Sequence, residues 1–231
     1  MNVLEKNILA TLAYFDVTDQ PLTHFEVWRY YIGMYVDIPS ASSVSGNHAV
    51  SGRDIRKEST APCRLSEVIA SLGKLRQDKR VECTEGFWTI HGRGGIVASY
   101  RSRIKRSDRS LRSLRRLVWW LRMVPFVRMI GVTGRLAFKT TDMSSDWDVL
   151  VVMRSGRIWT GRLLLTAFLH GIGKRRHGKY TKNRVCLNYF LSESALEIGM
   201  KDLYSAREYV SLVPIFGKET YERFVLANTA W

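Results

Sequence analysis

The stretch Gly131–Met153, GVTGRLAFKTTDMSSDWDVLVVM, decides how this chain is read, and its centre is Asp146-Trp147-Asp148. The two acids stand at the head of an apolar run, Val149 to Met153, which predicts a buried β-strand. Side chains on a strand alternate faces, so Asp146 and Asp148 are expected to project from one side and aim at a common point. Two carboxylates held that close repel each other unless a cation shares them. Paired carboxylates that bind Mg²⁺ together with substrate phosphates are a common way to build a phosphoryl-transfer site. The plain alternative is a turn leading into a strand, with both acids solvated. Upstream, a short apolar strand at Phe126–Val132 runs into Thr133-Gly134-Arg135, so strand, Gly turn and second strand follow in order.

Working outward, the 231 residues are 45% hydrophobic, enough for one large domain or two small ones with a real core. Cys63, Cys83 and Cys186 are odd in number and lack a CxxC pair, which argues against a disulfide framework or zinc site and fits a reducing cytoplasm. The first residues, MNVLEKNILATLAYF, do not resemble a signal peptide. The apolar runs are interrupted by Arg122, Arg128 or His170 before they reach membrane-spanning length, so no membrane partner is expected. The net charge of +15 is unevenly placed: Arg101 to Arg122 carries nine Arg/Lys against one acid, Asp108. Such a concentration suits a polyanion, either a nucleic acid or a polyphosphate substrate.

The overall expectation is an α+β chain. In the first part, Leu4, Ile8, Leu9, Leu12 and Phe15 recur at helical spacing, Thr23 with Glu26 opens a second helix to about Ile32, and Leu65, Val68, Ile69, Leu72 and Leu75 mark a third. Arg80–Cys83 and Phe87–His91 flank a Thr84-Glu85-Gly86 turn and predict a hairpin. Residues 36–62, rich in Ser, Gly and charge, predict a flexible insertion. Three helices followed by a hairpin resembles the winged-helix family, which implies either DNA reading by the third helix or packing against a partner. Its basic residues bunch at the C-terminal end. The expected organisation is a winged-helix-like domain at 1–95, a basic connecting helix at 96–124 and a second domain at 125–231.

The second domain is expected to alternate strands and helices: a buried helix at Arg157–Gly171, a basic loop at Lys174–Lys179, a strand at Arg184–Leu191, and helices at Leu203–Val213 and Tyr221–Ala227. Gly134 followed twelve residues later by Asp146-Trp147-Asp148 resembles the signature of the polymerase-beta-like nucleotidyltransferases. Gly156–Arg162, Arg184–Phe190 and Ala206-Arg207-Glu208 resemble a bacterial subgroup of that superfamily, with a winged-helix-like region in front. The resemblance implies a small mixed-sheet nucleotidyltransferase-like α/β domain with C-terminal helices. It also implies transfer of a nucleoside monophosphate from a nucleoside triphosphate to an acceptor. Asp146 and Asp148 would be catalytic and would hold Mg²⁺, in a site able to take two ions. Gly134, Arg135 and Ser145 would line the phosphate pocket, with Lys182 and Arg184 as more distant basic helpers.

The chain departs from that pattern at named positions. The Gly-Ser dipeptide is Gly134-Arg135, a small residue expected five positions later is Lys139, and the middle of the acid pair is Trp147. The third carboxylate implied for the neighbouring strand has no counterpart on Arg184–Leu191, which offers Asn188; Asp142, Glu193 and Glu197 are the nearby acids. These departures support a second expectation: a nucleotidyltransferase scaffold without catalysis, acting as a nucleic-acid-binding or regulatory module through Arg101–Arg122. His91, His170 and His177 lack metal-ligand spacing, and His170 is expected to pack in the core. Gly92–Gly95 lacks the Lys-Ser/Thr of a P-loop. Of the adjacent Trp119 and Trp120, at least one is expected to pack inside.

Overall fold

The computed structural model describes residues 1–33 and 63–230, and the insertion expected at 36–62 lies outside them. The chain forms two compact units, Met1–Tyr100 and Arg101–Trp231, in an α+β arrangement.

In the first unit, α1 (Val3–Asp16) opens on a reciprocal cap: the Glu5 amide donates to the Asn2 side chain at 2.8 Å, and the Asn2 amide donates to Glu5 at 2.9 Å. Thr23 and Glu26 cap α2 (His24–Arg29) in the same way. The second helix is shorter than the expected limit of Ile32, because Tyr30 leaves helical geometry at φ −100°, ψ 18°. Helix α3 (Leu65–Gln77) buries Val68, Leu72 and Leu75 against Ile8, Leu12 and Phe15, while Ile69 falls on its exposed side. Strands β1 (Val81–Thr84) and β2 (Phe87–Ile90) form an antiparallel hairpin around Glu85-Gly86, both at positive φ as a tight two-residue turn requires. Leu22 exchanges both backbone hydrogen bonds with Trp88, at 3.1 and 2.7 Å, which adds a one-residue third strand to the hairpin.

Helix α4 (Ile96–Leu121) starts in the first unit, where Val97 and Tyr100 are buried and Tyr100 meets Phe87 edge-on. Most of its length belongs to the second unit, where Leu114, Val118 and Leu121 form its buried stripe. There follow β3 (Val127–Val132), α5 (Gly134–Ala137), β4 (Trp147–Met153), α6 (Ile158–Gly171), β5 (Val185–Ser192), α7 (Leu203–Val210), β6 (Val213–Phe216) and α8 (Lys218–Asn228). The sheet order is β5-β4-β3-β6. β4 and β5 run parallel, joined through α6, and the other neighbours are antiparallel. The two faces of β4 feed separate cores. Trp147, Val149, Val151 and Met153 pack with α4 and α6, whereas Leu150 and Val152 pack with Met129, Leu212 and Phe224.

Four expectations are corrected here. The helix expected to run to Val213 stops at Val210, and Val213–Phe216 is an edge strand; Pro214, with no N–H to donate, is tolerated at such an edge. Helix α6 is half-exposed rather than buried: Gly161, Leu165 and Leu169 face the sheet, but Trp159 is 78% and Leu163 68% exposed. His170 lies on that outer side, 5.8 Å from the His177 ring, instead of in the core. Trp119 and Trp120 are both exposed, at 51% and 58%, and stack edge-to-face on each other. Among the described residues no helix is long and apolar enough to cross a membrane.

Candidate active site

The site forms where β3 hands the chain to α5. Gly134 sits at φ +60°, a conformation that a residue with a Cβ adopts only under strain. A Cβ at this position would lie 2.7 Å from Asp148 Oδ2, so glycine is also required by the closeness of the carboxylate. The Thr133 amide donates to the Asp148 carbonyl at 3.0 Å, which pins the turn to the first residues of β4. Gly134→Ala is therefore expected to displace the Asp148 carboxylate. The expected cost is a stability loss of about 1–3 kcal/mol, which thermal melts of the variant against wild type measure.

The approach to the acids is a tight Asx turn. Asp142 Oδ1 accepts from the Ser144 amide (2.9 Å), the Ser144 hydroxyl (2.9 Å) and the Ser145 hydroxyl (2.8 Å). Arg135 pairs with the other oxygen of Asp142. Partial burial works against ionisation of Asp142, but these hydrogen bonds and Arg135 outweigh it and hold the carboxyl at about 2. Arg135 and Ser145 thus both serve the turn that presents Asp146. Lys139, at φ +58°, pairs with Asp108 of α4 at 3.5 Å.

The parallel register sets Asp148 opposite Cys186, not Asn188. The register from the Trp147/Val185 pair onward thus puts Cys186 at the neighbouring-strand position, and a bulge between Val149 and Leu150 makes Asn188 the extra, exposed residue of β5. Ligand atoms of Asp146, Asp148 and Cys186 all lie within 4.8 Å of one another. Burial, then the charge of Asp146, pushes the Asp148 carboxyl above its ordinary range. Burial likewise raises the Cys186 thiol, with the charges of Asp148 and Asp146 adding to it. Cys186 is therefore a neutral thiol at pH 7, a soft and weak donor for Mg²⁺.

A carboxyl whose pKa is raised by folding weakens the fold wherever it is ionised. Asp148→Asn is thus expected to melt higher than wild type at pH 7 without metal. The gap narrows as pH falls through the folded-state pKa and vanishes below the unfolded value of about 4. Metal-free melts between pH 3 and 8 measure this, and a variant less stable at pH 7 contradicts it.

A cation already faces the pair. Gly173 at φ +65° ends α6, and Lys174-Arg175-Arg176 then runs alongside the start of β5, with the Val185 amide donating to Lys174 and the Arg176 amide to Val185 at 2.8 and 2.9 Å. This places Arg176 Nε 3.0 Å from Asp146 Oδ2 and Nη1 3.4 Å from Cys186 Sγ. Arg184 instead stacks over Tyr180 at 4.9 Å and donates to the Arg175 carbonyl, and Lys182 is exposed beside Ser145 and Asn183. Neither Arg184 nor Lys182 pairs with the acids. Glu208 of α7 is buried near Thr133 and Asp148; burial, then the Asp148 charge, raises its carboxyl. Sequence reasoning assigned no role to Arg176, Cys186 or Glu208. The basic run at 174–179 was the only signal for Arg176.

No protein-family model, curated protein or solved structure matches the chain.

Proposed function

We propose that the second unit is a nucleotidyltransferase-like domain that binds a nucleoside triphosphate with Mg²⁺ and transfers its nucleoside monophosphate to an acceptor. In this reading the first unit is a winged-helix-like domain. The observation that carries the proposal is the convergence of Asp146 and Asp148 beside a glycine turn packed against the second carboxylate. Two carboxylates with phosphate oxygens form a hard-oxygen donor set that fits one Mg²⁺, and the neutral thiol at the third corner favours one ion over two. When bound, the ion supplies positive charge to the phosphate oxygens. The chain's own groups do the rest. Asp146 and Asp148 orient the phosphates through that shared charge, and the amides of the Gly134 turn approach them without side-chain interference. Arg176, beside Asp146, is placed to hold the departing phosphates. The acceptor oxygen attacks the α-phosphorus, the bond to the bridging oxygen breaks, pyrophosphate leaves, and the acceptor proton passes to solvent.

A second reading has its own support. The ion pair of Arg176 with Asp146, and a thiol where a third acid would stand, suit a scaffold that binds ligand without catalysis and serves regulation. Titration calorimetry of the intact protein with each NTP, with and without Mg²⁺, together with release of labelled pyrophosphate, separates the two. Metal-dependent binding with release supports transfer. Metal-dependent binding without release favours the silent scaffold, and nucleotide binding that ignores Mg²⁺ sinks the proposal.

A further inference from the structure

The second unit carries a basic channel that the carboxylate site does not use. A groove of about 440 Å³ lies between α4 and the segments 141–147 and 174–183, where Arg106, Arg109, Lys174 and Lys182 face a single acid, Asp142. A second hollow of about 660 Å³ continues along α4 beside Arg112, Arg115 and Arg116 and shares Arg109 and Ser113 with the first. The continuity follows from helical periodicity: residues 109, 113, 116 and 120 recur at three- and four-residue steps and form one stripe, opposite the buried stripe of Leu114, Val118 and Leu121. Among the described residues no carboxylate lies within ion-pair distance of Arg106, Arg109, Arg112, Arg115 or Arg116. Asp108, the acid of this helix, is turned to Lys139 at 3.5 Å. The stripe ends at two exposed indoles, Trp119 and Trp120, and the Arg122 guanidinium lies 5.0 Å from the Trp119 ring centre. Arg109 and Trp120 are about 16 Å apart along the helix axis, at 1.5 Å per residue.

We propose that this channel binds single-stranded nucleic acid. Guanidinium groups at helical spacing suit successive backbone phosphates, and exposed indoles at the end of the row suit unpaired bases, which offer a flat face whatever the sequence. An acidic peptide matches the charge but does not carry a flat ring at every unit, as a nucleic-acid strand does. A duplex keeps its base faces stacked inside. Ser145 and Trp147 line the groove and alternate along the chain with Asp146 and Asp148. The groove therefore opens on the side away from the two carboxylates, so RNA and nucleotide are expected to bind independently.

The test measures fluorescence anisotropy of a labelled mixed-sequence 20-nucleotide RNA on the intact protein across a salt series. It compares wild type with Arg109→Ala/Arg112→Ala/Arg116→Ala and with Trp120→Ala, and follows Mg²⁺-NTP binding in parallel. The triple variant is expected to bind RNA at least tenfold more weakly, with a log–log salt slope shallower by about 2, since each lost phosphate contact on a single strand removes about 0.7. Trp120→Ala should weaken binding with the slope unchanged, and NTP binding should be the same in all three proteins. Equal RNA binding by wild type and the triple variant overturns the proposal, as does polyglutamate competing as well as RNA. Wild type that binds RNA through the channel but binds no NTP upholds the channel and overturns the transfer reading alone.

Discussion

Asp146→Ala is expected, on the proposed transfer reading, to abolish metal-dependent nucleotide binding and to reduce transfer by at least about two orders of magnitude, since even outer-shell partners of a metal site cost ten- to a hundredfold. The carboxylate removed is the one held by Arg176, at 3.0 Å, so the alanine variant leaves that guanidinium without its acidic partner. Removing Asp146 also relieves the repulsion that raises Asp148. The fold should consequently tolerate the change, and circular dichroism melts should differ little from wild type. Calorimetry with NTP and Mg²⁺ then reads function without a folding confound. If the variant binds nucleotide as wild type does, Asp146 has no place in the site.

Trp147→Ala is expected to have the largest effect on the fold. Trp147 is 3% exposed and packs with Leu136, Val149 and Val185 on the face opposite the two acids. Truncating a buried tryptophan costs about 3–5 kcal/mol through lost burial and the cavity left behind. That is a large fraction of the 5–15 kcal/mol typical of a whole domain. For a unit of this size the melting temperature should drop by about 10–20 °C. Because Asp146 and Asp148 flank the indole, what remains folded should also bind nucleotide more weakly. A drop of less than a few degrees would show that the core closes over the gap and that the indole does not brace the acids.

The strand–turn–strand frame of the site was legible because its cause is local. Alternation puts Asp146 and Asp148 on one face, and positive φ with close approach requires Gly134. The caps at Asn2 and Thr23 depend on residues three apart; Thr23–Glu26 was legible, whereas Asn2–Glu5 was not singled out. What escaped depends on partners distant in sequence. Cys186 stands opposite Asp148 because the parallel register pairs Trp147 with Val185, and nothing in VCLNYF announces that register or the bulge at Asn188. Arg176 reaches Asp146 only because residues 174–176 run beside the start of β5. β6 is four residues long with a proline inside, below what periodicity can separate from a helix end. The outer face of α6 carries Trp159 and Leu163, so its apolar pattern runs all round, and such a pattern predicts burial that this helix does not have.

The contact between Arg176 and Asp146 makes occupancy of the carboxylate site an exchange and not a simple addition. Asp146 can give that oxygen to a divalent ion only by loosening its hold on the guanidinium. On the proposed reading, an incoming triphosphate that draws the guanidinium away raises the affinity of the acids for metal. Metal and nucleotide should therefore bind cooperatively, each clearing the way for the other.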